Sequence, residues 1–125
     1  EEGIEDFELG SGDDAANHFV FEQGGSFGIS VTANVHPEGC VEVWRQGYIN
    51  QDEQTAFETT RELRNLHNAM FQPGEKNPIS GQYSLNLLGF DFGTPRMPLD
   101  REPRQDNEYQ NQQELKAVLE DHDLI

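Results

Sequence analysis

Very few side chains in this sequence are spaced for chemistry. His18, His36, His67 and His122 have no metal-ligand spacing with one another or with Cys40, so they read as helix-face or loop histidines and no metal is expected. Ser30 has no histidine and acid arranged to activate it as a nucleophile. The glycine-rich Gly24-Gly25-Ser26-Phe27-Gly28 leads into a strand, the wrong side for a phosphate-cradling loop. Cys40 is the single cysteine and cannot form an internal disulfide; beside Val41, Val43 and Trp44 it reads as a buried structural thiol. Two segments remain. Gly10-Ser11-Gly12-Asp13-Asp14 is a turn rich in carboxylate, and Gly28-Ile29-Ser30-Val31-Thr32-Ala33-Asn34 is an apolar run that breaks into small polar residues. The second reads as a buried strand delivering its last residues to a site.

The elements that must position these segments follow from periodicity and punctuation. Ile4 to Leu9 alternates apolar with acidic residues, as a short strand would, and meets a turn at Gly10 and Gly12. Asp13 or Asp14 caps a helix over Ala15–Gln23, with Phe19 and Val20 inward and a left-handed stop at Gly24-Gly25. A strand over Gly28–Thr32 completes strand, helix, strand within about thirty residues, the spacing of a parallel crossover. Pro37 suits the first position of the next helix, through Cys40, Val41, Trp44 and Tyr48. Gln51 to Phe71 is expected as the longest helix, with Phe57, Thr60, Leu63, Leu66, His67, Met70 and Phe71 on one stripe and a stop at Pro73-Gly74. Asn77-Pro78 reads as an N-cap and first helical residue, with the helix running to Gly89. Phe90–Asn107, with Pro95, Pro98 and Pro103, is expected to be extended, and Tyr109–Glu120 to be a final amphipathic helix.

Composition narrows the classes. Only 34% of the 125 residues are hydrophobic and the mean hydropathy is −0.80, so a self-contained core would be thin. A net charge of −16, from 24 acidic against 8 basic residues, opposes binding to nucleic acid or an anionic membrane. The acids are dispersed as on a solvated surface, and the scarcity of lysine (Lys76 and Lys116) suits a salt-adapted source. No stretch approaches the roughly 18 apolar residues of a membrane span, and the opening is unlike a signal peptide, so a cytoplasmic protein is expected. The start at Glu1-Glu2-Gly3, without Met, suggests a longer or processed polypeptide. Two buried strands cannot form a covered parallel sheet alone, so partner strands are expected from outside these residues or from another polypeptide.

Taken in order, Ser11-Gly12-Asp13-Asp14-Ala15, Ile29-Ser30-Val31-Thr32-Ala33-Asn34, Leu66-His67-Asn68-Ala69-Met70-Phe71, Asn77-Pro78-Ile79, Leu87-Leu88-Gly89 and Arg96-Met97-Pro98-Leu99 resemble the dihydrodipicolinate synthase and N-acetylneuraminate lyase family, with the synthase branch nearest. The resemblance implies an α/β fold: the C-terminal part of a (β/α)8 TIM barrel, its last two strands in residues 1–49, followed by an appended helical region over 50–125. It implies a Schiff-base lyase in which a lysine attacks pyruvate and the derived enamine adds to an aldehyde, aspartate semialdehyde in the synthase branch, with no cofactor. The family's lysine, its tyrosine and threonine relay and its arginine precede the first residue here, so the chain carries no catalytic residue of its own. Gly12 matches a position where backbone lies close to the aldehyde, with Asp13 at the rim beside it, and Ile29 matches the eighth-strand residue packed on pyruvate. The same resemblance implies a homo-oligomer, or a need for the missing barrel half.

This sequence departs from the family pattern at Phe27, where glycine is usual, at Gly28, where valine is usual, at the inserted Gly74-Glu75-Lys76, and at Gln82, where lysine is common. Other classes compatible with the composition are a noncatalytic acidic binding or inhibitory protein and an inactive family-derived fragment.

Overall fold

The computed structural model describes residues 7–72, 77–99 and 108–125. Its sheet is a parallel pair, β1 (Gly10–Ser11) and β2 (Phe27–Gly28), in register Gly10 with Phe27 and Ser11 with Gly28. The Ser26 amide donates to the Leu9 carbonyl at 2.9 Å and the Ile29 amide to Ser11 at 2.8 Å, extending the ladder by one bond at each end. Of the strand expected over Ile4–Leu9, residues 4–6 lie outside the described residues, and Phe7–Leu9 precede β1 without being part of it. Between the strands run a 3-10 turn, Asp14–Ala16, and helix α1 (Asn17–Glu22), so the parallel crossover is as expected. Gly24, at φ +88°, terminates α1, and the Gly25 amide donates back to Val20 at 2.8 Å.

The strand expected over Gly28–Thr32 is shorter and displaced. Asp14 takes the Val31 and Thr32 amides and the Ser30 hydroxyl takes that of Ala33, so side chains claim the donors a ladder would need. Thr32–Asn34 therefore closes into a 3-10 turn instead. Burial also differs from expectation, because Ile29 is 75% exposed while Thr32 is fully buried. On α1 the buried aromatic is Phe21; Phe19, expected inside, is exposed, and Val20 is half-buried.

Helix α2 (Pro37–Trp44) begins on Pro37 as expected and widens into a π turn over Arg45–Ile49. The long helix expected over Gln51–Phe71 is two: α3 (Glu53–Glu62) and α4 (Arg64–Met70), jointed at Leu63. Just before the joint the Thr59 and Thr60 hydroxyls donate to the Thr55 and Ala56 carbonyls, each at 2.9 Å, a pattern that bends helices. Phe57 and Phe71, placed on the inward stripe by periodicity, are exposed. The stop at Pro73-Gly74 lies outside the described residues. Helix α5 (Ile79–Leu87) starts one residue later than expected: Pro78 is its N-cap, and the Pro78 carbonyl accepts from Gln82 at 2.9 Å. Gly89, at φ +92°, ends it. Residues 90–99 contain no helix or strand, and α6 (Glu108–Asp121), 14 residues, is the longest helix among the described residues.

One apolar cluster joins Val35 to Leu66, Ala69 and Met70 of α4 and to Leu115 and Leu119 of α6, with Tyr83, Leu87 and Leu88 packed against it. A smaller one joins Phe21, Val43 and Leu63, with Trp44 at its edge. The Trp44 indole donates to the Ser26 carbonyl at 2.9 Å and so pins α2 to the approach to β2. No helix among the described residues is long and apolar enough to cross a membrane.

Candidate functional site

In a parallel αβ arrangement the C-terminal ends of the strands are where sites are built, because loops of free conformation diverge there from a rigid frame. Gly12 and Asp13 follow β1, and Ile29 follows β2, so all three expected residues lie at that end. A Cβ on Gly12 would meet nothing within 4 Å, which leaves open space for another group to approach the backbone. Asp13 caps the 3-10 turn: its Oδ1 accepts from the Ala15 amide at 3.0 Å, and the Ser11 hydroxyl donates to its carbonyl at 3.0 Å.

Asp14 is the residue that holds the two strand ends together. It is 3% exposed, and its Oδ2 accepts from the Val31 and Thr32 amides at 3.1 and 2.9 Å, while Asn17 donates to Oδ1 at 3.4 Å. Charged acceptors make the stronger hydrogen bonds, so the turn after β1 is clamped to the turn after β2 by one carboxylate. Sequence reasoning left the cap to Asp13 or Asp14; the structure gives the cap to Asp13 and the clamp to Asp14.

Gly12 and Asp13 share an open groove of about 380 Å³ with Ala15 and, from α4, His67, Asn68 and Phe71. Ile29 does not line it. The groove thus combines two expected residues with His67 and Asn68, which sequence reasoning treated only as part of a helical stripe. Their signal was the Leu66–Phe71 motif, which placed them in family order without a role.

His67 is 5% exposed, and burial holds its imidazole below the usual range; Asp14 and Asp13 pull it up and His122 pushes it down. The unfolded chain, with an ordinary pKa of about 6.5, takes up this proton first as pH falls. The contribution of neutral His67 is therefore complete above about pH 6.5 and is lost progressively below it. Urea midpoints are expected to fall as the pH drops below about 6.5, and less steeply in His67→Gln. Equal slopes in the two proteins would remove His67 as the cause.

Phe27 lies across its cross-strand neighbour: a Cβ on Gly10 would run into the tip of its ring, so with the ring in this position the aromatic at the departed site goes with glycine opposite. The Cys40 thiol is raised above its usual pKa by burial, opposed by its contact with Ser30 at 3.6 Å and reinforced by Asp14, which leaves it a poor nucleophile.

The geometry has close parallels. Residues 2–122 match the dihydrodipicolinate synthetase family. A 4-hydroxy-tetrahydrodipicolinate synthase of Methanopyrus kandleri is 40% identical over 121 residues, covering 94% of this chain and 38% of that protein. The crystal structure of dihydrodipicolinate synthase from Aquifex aeolicus superposes with a TM-score of 0.84 at 29% identity, over 96% of this chain and 38% of that one. The chloride-inhibited enzyme of Acinetobacter baumannii, complexed with pyruvate, gives 0.81 at 32% identity, over 95% and 38%. The chain thus spans well under half the length of the relatives it matches. Its fold is that of the C-terminal part of a (β/α)8 barrel, the last two strands followed by appended helices. By its sequence match and by this geometry, the chain belongs to the dihydrodipicolinate synthetase family.

Proposed function

We propose that this chain forms the C-terminal wall of a pyruvate-dependent Schiff-base lyase, 4-hydroxy-tetrahydrodipicolinate synthase, which joins pyruvate to aspartate semialdehyde on the way to lysine. The observation that carries the reading is the placement of Gly12 and Ile29 at the same end of two neighbouring parallel strands, in family order. In such an enzyme a lysine amine adds to the ketone carbon of pyruvate and water leaves; the iminium then loses a methyl proton to give the enamine that attacks the aldehyde carbon. That lysine lies outside this chain. The bare Ile29 side chain supplies an apolar wall for pyruvate, the open Gly12 backbone gives the aldehyde room, and Asp13 offers an acceptor at the rim.

The division into barrel residues 1–49 and helical residues 50–125 is one of role, because Val35 packs in the same core as Leu66 and Leu119. Exposed Phe7, Leu9 and Phe27, beside strands with no further sheet neighbour among the described residues, suit a surface completed by the other barrel strands. The reading carries with it a cytoplasmic homo-oligomer.

Incubation with pyruvate and borohydride, followed by intact-mass measurement, is expected to leave this chain unmodified. Joined to the preceding barrel strands of the Methanopyrus kandleri relative, it is expected to trap pyruvate stoichiometrically on the relative's lysine and to condense aspartate semialdehyde. Trapping on Lys76 or Lys116 of this chain, or a folded chimera that traps no pyruvate, would overturn the proposal.

A further inference from the structure

Beside the groove lies a second, smaller cavity of about 150 Å³, between α1 and the α3–α4 joint. It falls below the roughly 300–1,000 Å³ of pockets that take drug-sized ligands, so it has room for one small group and its water. Phe57, Thr60, Arg61, Arg64, His67 and Asn68 form one wall, a spacing that keeps all six on a single face of the jointed helix. Ala15 and His18 face them from the other side.

The charge of this wall is contrary to that of the chain. Carboxylates outnumber lysine and arginine 24 to 8, so an arginine has acidic partners at hand almost anywhere on the surface. The described ion pairs take up Arg45 and Lys116. Among the described residues, Arg61 and Arg64 have no hydrogen bond or ion pair to any side chain, and no carboxylate lines the cavity. Glu58, three residues before Arg61 on α3, accepts from Gln54 one turn back along the helix. His18 packs its ring edge-on to Phe57 at 5.4 Å, and its Nδ1 is buried with no partner. A buried ring nitrogen without a partner is costly and calls for one. Thr60 contributes no donor, because its hydroxyl is spent on the Ala56 carbonyl.

We propose that this cavity is a binding site for one small oxyanion, a phosphate or a carboxylate. Arg61 and Arg64 donate to it from the helix wall, His18 Nδ1–H donates from α1, and the Asn68 amide stands within the same wall. The guanidinium fork suits two oxygens of a single group. The site shares Ala15, His67 and Asn68 with the groove of Gly12 and Asp13, so an occupant would sit beside that groove. This inference does not depend on the lyase reading, since it rests on residues of this chain alone.

The test is titration of the isotope-labelled chain with sodium phosphate and with sodium acetate, followed by amide and side-chain NMR against sodium chloride at equal ionic strength. Saturable shifts centred on His18, Arg61, Arg64 and Asn68 are expected with at least one of the two, and their relative strengths identify whether phosphate or carboxylate is preferred. Both arginines are exposed, so Arg61→Gln and Arg64→Gln should fold normally, and each is expected to weaken binding about tenfold. His18→Phe, which keeps the ring contact with Phe57, is expected to weaken it several-fold, and Arg64→Lys less than Arg64→Gln. Shifts that chloride reproduces, or that persist unchanged in the Arg61→Gln/Arg64→Gln double variant, would overturn the proposal.

Discussion

Replacing Asp14 by Ala is expected to remove about 3–5 kcal/mol of stability, enough to unfold much of a domain of this size at room temperature. The substitution deletes a buried charged acceptor and strands two amides, Val31 and Thr32, in a place from which water is excluded. Each orphaned donor costs its desolvation, and the turns that follow the two strands lose the carboxylate that ties them together. Asp14→Asn keeps an acceptor oxygen without the charge and should lose roughly half as much. Asp13→Ala, next door, removes only an exposed cap and should cost about 1 kcal/mol. Urea unfolding followed by circular dichroism separates the three. A loss in Asp14→Ala no larger than that in Asp13→Ala would show that the clamp contributes nothing.

Truncating Leu66 to Ala is expected to cost about 3–4 kcal/mol, with a lowered urea midpoint and an unchanged slope. Leu66 has no exposed surface and sits where α4 meets α6 and the Val35 turn, so three elements would face the cavity it leaves. Ile29→Ala is the contrasting case. Its side chain is bare in this chain, and stability should change by less than about 0.5 kcal/mol. An equal effect of the two substitutions would contradict the placement of the core.

Punctuation was the most legible part of the sequence. Gly24, Pro37 and Gly89 mark helix ends or starts because a positive φ or a missing amide is a local property of one residue. The parallel crossover was equally legible from spacing, and the family order located Gly12 and Asp13 at a strand end. What escaped were effects that act across the chain. Nothing local distinguishes Asp13 from Asp14, and only the arrival of Val31 and Thr32 makes one of them a clamp. The same bonds end β2 early and leave Ile29 in the open, where the apolar run suggested a buried strand. Periodicity treated Gln51–Phe71 as one helix because two threonines carry no strong breaking signal, although their hydroxyls precede the joint at Leu63. The neighbourhood of His18, Arg61 and Arg64 was invisible for a related reason: a histidine on one helix acquires arginine neighbours only when a second helix is laid against it.

The core has a consequence for synthesis on the ribosome. Val35 and Leu66 are made early, yet their packing partners Leu115 and Leu119 belong to α6, the last helix. Until α6 has left the exit tunnel, α4 and α5 can close only on each other and on the Val35 turn, and the nascent chain must carry the faces that α6 covers exposed. Slow translation ahead of α6 would lengthen that interval, and a chaperone that binds apolar helical surface would find this chain a client for as long as it lasted.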